Sequence, residues 1–291
     1  MKRPLGEKIG HAIIVVIMML YALSTLYPLW HVFMYSISDS KQAIGESIFL
    51  WPRGFSVQQY IVLLKTPNMF RSFCNSVLRV AIGVPFNIIL TAMLAFPLAK
   101  RNLVGGKLMS GLVFFTMLFT GGLIPTFLTI KDLGLYNSPL VYILPTAISA
   151  YNMFVMRNYF VALPDELEES ASLDGAGPAT ILFRILLPCC IPVIAALAMF
   201  YGIAHWNSWF DGMIYIDSRK YQLFQVFLRG MMTEGAFQNL AGSEGLANVG
   251  TLTEESVKMA AISLSVIPVL IAYPFIQRYY IKGLMVGSVK G

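Results

Sequence analysis

Charge is what this sequence has least of. Only 12% of its 291 residues are Asp, Glu, Lys or Arg, against 57% that are hydrophobic, whereas soluble domains carry roughly 25% charged residues. One water-soluble core cannot hide that much apolar surface, so an ordinary soluble domain is excluded and the bilayer is left as the solvent. Cysteine is scarce too. Cys74, Cys189 and Cys190 cannot build a disulfide framework, and the adjacent pair reads as small apolar residues inside an apolar run. His11, His31 and His205 lie far apart without metal-ligand spacing, so no metal site is expected. No G-x-x-x-x-G-K-[ST] phosphate loop occurs: Gly105-Gly106-Lys107 lacks the first glycine and runs on into Leu108. Hydrolysis of ATP is therefore not expected of this chain, and no Ser/His/Asp or Cys/His arrangement supports another catalysis. It is read as a non-enzyme that binds no cofactor.

What is present is a series of long uncharged stretches, at residues 12–34, 80–99, 108–130, 133–156, 185–210 and 259–277. Each is near the 20 or so residues that cross a bilayer, which predicts an all-α membrane protein of about six transmembrane helices. The first is too long for the apolar part of a cleavable signal and is read as an uncleaved span. Lys2, Arg3 and Lys8, then Lys100, Arg101 and Lys107, then Arg278, Lys282 and Lys290 cluster in the tails and the second loop. By the positive-inside rule both termini lie in the cytoplasm of a cell membrane. The scattered net charge of +6 then reflects topology rather than nucleic acid. The expected organisation is a tail, first span and external loop over 1–69, a core with five spans over 70–285, and a cytoplasmic tail over 286–291. Pro85, Pro97, Pro125, Pro145, Pro188, Pro192, Pro268 and Pro274 interrupt the spans. Each removes a backbone donor that lipid cannot replace, which fits a kinked bundle around a cavity better than a straight anchor.

The cytoplasmic loop at 157–184 breaks the apolar rule. Asp165, Glu166, Glu168, Glu169 and Asp174 gather there among Ser170, Ala171, Ser172, Gly175 and Ala176. Pro164 suits a first helical turn, and the first acids face its positive dipole end. About two turns follow, to Leu173, before Gly175 and Gly177 break the helix and Pro178 opens the next one. The small residues permit close approach by a partner.

The spacing Glu169-Ser170-Ala171, three residues, Gly175, nine residues, Ile185, one residue, Leu187-Pro188 resembles E-A-A-x3-G-x9-I-x-L-P. This is the signature loop of permease subunits in binding-protein-dependent ABC importers; Ser170, in place of the first Ala, is the one departure. Asp174-Gly175-Ala176 strengthens the likeness. The run NSVLRVAIGVPFNIILTAMLAFPLAK, the WNSWF after the fifth stretch and the terminal YPFIQRYYIKGLMVGSVKG are similar to the carbohydrate branch. Within it they resemble the smaller maltose-type permease and the oligosaccharide permeases of Gram-positive bacteria. The resemblance implies a type I importer permease fold with a coupling helix that docks on an ATPase. Glu168, Glu169, Ser170, Ala171, Asp174, Gly175 and Ala176 would form the docking loop, with Glu169, Ala171 and Gly175 foremost. It also implies a second homologous permease, two copies of a cytoplasmic ATPase holding ATP and Mg, and a lipid-anchored or periplasmic solute-binding protein. The solute would be a sugar or oligosaccharide; the alternative is another solute of the same superfamily, such as a polyamine or phosphate. A stand-alone channel or membrane enzyme is the remaining alternative.

Candidates for the translocation path are Asn75, Arg79 and Asn87 on one face of the second stretch, Asn152 in the fourth, and Trp206, Asn207 and Trp209 near the end of the fifth. Amides can hydrogen-bond sugar hydroxyls and indoles can stack on pyranose faces. The same residues also serve to glue helices and to form an interfacial belt. Arg79 is expected to snorkel to the outer interface, with recognition of a uronate as the alternative. The tail from Lys282 is either a contact to the ATPase or a frayed end.

Overall fold

The computed structural model describes residues 5–45, 50–232 and 252–287. Lys2, Arg3, Lys290 and residues 233–251, within the second loop expected to be external, lie outside the described residues. Long apolar runs with few helix-breaking residues become helices wherever lipid forbids unpaired backbone groups. Among the described residues, three helices are long and apolar enough to cross a membrane unbroken: Gly6–Ser36, Met69–Ala99 and Glu254–Pro274. Two bent pairs bring the number to five if each is one span. The chain divides into two units, one of residues 1–69 with 228–267 and the other of 70–227 with 268–291.

In the first unit, α1 (Leu5–Ser36) exposes apolar side chains all round, among them Ile14, Met18 and Leu20, as expected of a helix solvated by lipid. Its C-terminal carbonyls need partners, and the segment that follows supplies them. α2 (Ser40–Ala43) is capped by Asp39, which accepts from the backbone N–H groups of Lys41 and Gln42. From α3 (Gln58–Lys65), the buried Gln59 amide donates to the carbonyls of Ser36, Ser38 (3.0 Å) and Ser56 (3.2 Å). Ser40 donates to Ser256 at 2.7 Å and Ser263 to Ser36 at 3.2 Å.

The second unit is built on α4 (Met69–Ala99). Ala92 and Ala95 are fully buried on it, and their small side chains let other helices approach closely. α5 (Gly106–Leu118) and α6 (Leu123–Asp132) meet at 114°; Gly122, at φ +82, makes the corner. α7 (Ala150–Val161) follows, then α8 (Glu166–Leu173). The next helical run is α9 (Pro178–Thr180), a π-helical turn (Ile181–Leu186) and α10 (Leu187–Cys189). It bends by 87° into α11 (Ile191–Asn207). Pro188 and Pro192 lack the N–H groups that would carry the helix through, so the π turn and the bend fall where the ladder is broken. α12 (Phe210–Tyr215), α13 (Phe224–Met232) and α14 (Glu254–Gly287) complete the described helices. The core of this unit joins Ala92, Ala95, Leu98, Met153, Met156, Phe160, Leu186 and Leu197.

Two expectations need correction. The apolar stretch 133–156 is not one helix: a 3-10 turn at Pro139–Tyr142 is followed only at Ala150 by α7. Gly134 at φ +69 and Asn137 at φ +55 turn the chain left-handed, and Pro139 and Pro145 remove donors, so hydropathy alone misjudged the backbone. The second stretch begins earlier than residue 80, since α4 starts at Met69 and carries Arg79 inside the helix. α14 continues to Gly287, so the first two residues of the tail expected over 286–291 are helical, and residues 288–291 lie outside the described ones.

Candidate functional site

α8 is short, polar and held by its ends. Its N-terminal turn carries Glu166, Glu168 and Glu169, complementing the positive end of the helix dipole. Its C-terminus closes in a Schellman motif. Gly175, at φ +80, takes the left-handed position; its N–H donates to Ser172 O (3.1 Å), and Ala176 N–H reaches back to Ala171 O (2.9 Å). The orphaned last carbonyls are thereby satisfied. Nothing lies within 4 Å of where a Cβ on Gly175 would stand, so the backbone angle, not space, is what demands glycine.

Two anchors fasten this helix to the second unit. Ala171 is buried and packs in the core with Ile181, Leu182 and Leu186. Glu168 pairs with Lys100, just past α4, and the Lys100 ammonium also lies 4.5 Å from the Phe96 ring centroid. Burial holds the Lys100 pKa below the usual ammonium range, an effect the Asp165 carboxylate opposes. The expected docking set is thus divided. Ala171 is turned inward, because its one-carbon side chain is what lets α8 seat on the π turn, and Glu168 faces Lys100. Ala176 is half-buried against the same core. Glu169, Ser170, Asp174 and Gly175 are exposed, and Ser170 bonds only its own helix, Oγ to Glu166 O at 2.8 Å and Leu167 O at 3.5 Å. Leu173, which the motif does not single out, is 89% exposed at the tip. Its position as the last apolar residue before a glycine turn was the available signal.

A second constellation surrounds Arg79. The guanidinium does not snorkel: it is buried, with Nη2 donating to Asp211 Oδ2 at 2.5 Å and the group lying 4.8 Å from the Tyr142 ring centroid. Arg79 Nε donates to His205 Nδ1 (3.1 Å). Because a guanidinium only donates, Nδ1 must accept, which leaves Nε2 as the N–H that donates to Asn87 Oδ1 (2.8 Å). The Asn87 amide nitrogen in turn donates to the carbonyls of Thr146 (2.6 Å) and Ala147 (2.8 Å). Asp211 Oδ1 accepts from Ser208 Oγ (2.6 Å) and the Gly212 N–H (2.9 Å). A lone cation in an apolar span needs a counter-ion; sequence reasoning missed both Asp211 and His205, though Asp211 is the acid nearest the end of the fifth apolar stretch.

The remaining candidates separate. Asn75 holds the carbonyls of Lys220 and Gln222, each at 2.9 Å, and shares with Arg79 a cavity of about 180 Å³. Trp206 is buried, 5.8 Å from the Phe73 ring, rather than in a belt. Asn152 is buried on α7, Asn207 is exposed, and Trp209 stands edge-on to Phe210 at 5.6 Å. Among the described residues, neither asparagine is hydrogen-bonded into the Arg79 network.

His205 reaches this network because Gly83 of α4 has no side chain. A Cβ there would stand 2.6 Å from His205 Nε2. The imidazole is pinned on both nitrogens and cannot move aside without losing Arg79 or Asn87. We expect Gly83→Ala to destabilise the detergent-purified protein by about 1–3 kcal/mol, although alanine is the better helix former. An unchanged unfolding midpoint in that variant would refute the close approach, and His205→Ala added to it should relieve the strain.

The chain is 38% identical to the polygalacturonan/rhamnogalacturonan transport system permease protein YtcP of Bacillus subtilis, over 94% of this chain and 96% of that one. Among solved structures it is similar to a chain of a bacterial ABC transporter involved in the import of the acidic polysaccharide alginate. That match has a TM-score of 0.88 and 29% identity, covering 96% of this chain and 99% of that one. A chain from an alginate ABC transporter in complex with an alginate pentasaccharide-bound periplasmic protein shares the fold, with a TM-score of 0.56 and 15% identity over 94% and 96%. The description "binding-protein-dependent transport system inner membrane component" matches residues 6–286, and the chain belongs to that family of multi-pass membrane permeases.

Proposed function

We propose that this permease forms one half of the pore of an ATP-driven importer and passes an oligosaccharide received from an external binding protein. The observation that carries the reading is α8: an exposed, acid-rich, glycine-closed helix with Leu173 at its tip, anchored in the core of a chain that has no phosphate loop. Such a chain needs an outside source of energy and presents a surface on which to receive it. The partners are a second permease, two ATPase copies carrying ATP and Mg, and a solute-binding protein. A relative named as a polygalacturonan/rhamnogalacturonan transport system permease, and a chain of a transporter involved in the import of alginate, support a sugar polymer fragment as the solute. The clustering of Lys and Arg in the tails and second loop supports cytoplasmic termini, with α8 on the same side.

In this mechanism closure of the ATPases displaces α8. The motion enters the bundle at two points, Ala171 on the π turn and Glu168 on Lys100 beside the end of α4, and helices so fastened move as a body between two packed states. Exposed Glu169, Ser170, Leu173, Asp174 and Gly175 meet the ATPase. Gentle detergent capture of the tagged chain from its own host, with mass spectrometry of what is retained, tests this. Recovery of a second permease, an ATPase and a binding protein is expected. Recovery of the chain alone, under conditions that keep other importers whole, overturns the reading.

A further inference from the structure

We infer that the turn over residues 50–55, after α1, rests in the headgroup layer of the bilayer and anchors the first unit there through Leu50 and Trp51. Its partner is lipid, and the inference depends on the membrane family alone, not on what the permease carries. Hydrogen bonds hold the turn against the end of α1. Asp39 N–H donates to the carbonyls of Arg53 (2.9 Å) and Gly54 (2.7 Å), Ser56 N–H to Ile37 O (2.9 Å), and Arg53 N–H to Ser38 Oγ (3.0 Å). At its other end the turn folds back beside the helix, where the Trp30 indole donates to Leu50 O at 3.0 Å.

The depth of that contact follows from helix geometry. The uncharged run of α1 over residues 12–34 is about 33 Å long at 1.5 Å per residue, against about 30 Å of hydrocarbon in a bilayer. The membrane boundary therefore falls close to residue 34, whichever side that end faces. Trp30 stands about one helical turn before it, and helical side chains lean toward the N-terminus. Its indole thus holds Leu50 at the boundary rather than out in water. The surface there is continuous and apolar. Leu26, Leu29, Trp30 and Phe33, spaced to share one face of α1, are all exposed. Leu50 and Phe55 are exposed too, and Trp51 is 76% exposed. An indole, apolar in body with one polar N–H, favours the headgroup level. A soluble partner would have to reach below the end of α1 to cover this surface, whereas lipid is already there.

The test uses the full chain, purified with the partners it retains, in phosphatidylcholine vesicles. Part of the lipid is brominated either near the headgroup end of its acyl chains or near their termini. The emission lost on Trp51→Phe is the Trp51 signal, since Trp30, Trp206 and Trp209 are present in both proteins. That signal is expected at shorter wavelength than an indole in water. It should be quenched strongly by the shallow bromolipid, weakly by the deep one, and little by iodide on both sides of the bilayer. Quenching by iodide and not by bromolipid would leave Trp51 facing water, as a surface for a soluble partner, and overturn the anchor. Protection from both quenchers would mean that protein covers it, as a second permease would, and would overturn the anchor equally.

Discussion

Replacing Asp211 with alanine should be among the most damaging single changes in the second unit. The Arg79 side chain is 3% exposed and that of Asp211 16%, so the substitution leaves a guanidinium in a low-dielectric interior with no counter-charge. Breaking one side of such a pair costs about 3–5 kcal/mol, or roughly 10 °C in unfolding midpoint for a chain of this size. The consequences spread, because Arg79 also fixes the His205 tautomer, and through His205 the Asn87 amide that holds the carbonyls of Thr146 and Ala147. Asp211→Asn should cost less, since its one amide oxygen can still accept from Arg79, although the NH2 then replaces the oxygen that accepts from Ser208 and the Gly212 N–H. The decisive measurement is a double-mutant cycle on Arg79→Gln and Asp211→Asn, read as thermal loss of the monodisperse peak in detergent. The double variant should recover stability relative to the sum of the singles, with a coupling of at least ~1.5 kcal/mol. Additive losses would mean that the two side chains do not stabilise one another, and the network would lose its centre.

How much of this was legible in the sequence depended on how far apart the determining residues stand. α8 was read nearly to the residue because everything that shapes it is local: Pro164 before it, acids in its first turn, Gly175 after it. The bend after Cys189 was legible for the same reason, since Pro188 and Pro192 act on their own helical turns, whereas Pro85 and Pro97 lie inside the continuous α4. The stretch 133–156 was misjudged because a hydropathy window counts apolar side chains and is blind to backbone sign; Gly134 and Asn137 stop a helix whatever their neighbours' polarity. The partner of Arg79 was not legible at all. Asp211 lies 132 positions away in the chain, and no local pattern records that meeting, only the general rule that a buried cation must have one. The inward turn of Ala171 and Glu168 was hidden too. A motif states which residue types recur, but which of them seat the helix and which face outward depends on the π turn and on Lys100.

The seating of α8 makes Gly175 the position where a small change should most cleanly separate transport from assembly. Its φ of +80 costs an ordinary L-residue roughly 1–2 kcal/mol, and no neighbour crowds the site. Gly175→Ala should therefore loosen the closing turn without any clash, and Gly175→Asn, which tolerates the left-handed angle, should retain most function. Gly175→Pro is the severe case. It locks φ near −65° and deletes the N–H that bonds Ser172 O, so the Schellman turn cannot form and Ala176 is drawn off Ala171 O. α8 would then hang from Ala171 and the Lys100 contact alone, and a push on its exposed face would reach the π turn only through a loosened seat. The expected result is normal insertion and recovery of the complex, ATP hydrolysis that continues, and import reduced by about tenfold or more, in the order Asn, Ala, Pro of increasing loss. Import and hydrolysis measured side by side on the same proteoliposomes decide it. If Gly175→Pro imports at the parental rate per ATP, force does not pass through this turn, and the two anchors of α8 at Ala171 and Lys100 carry it alone.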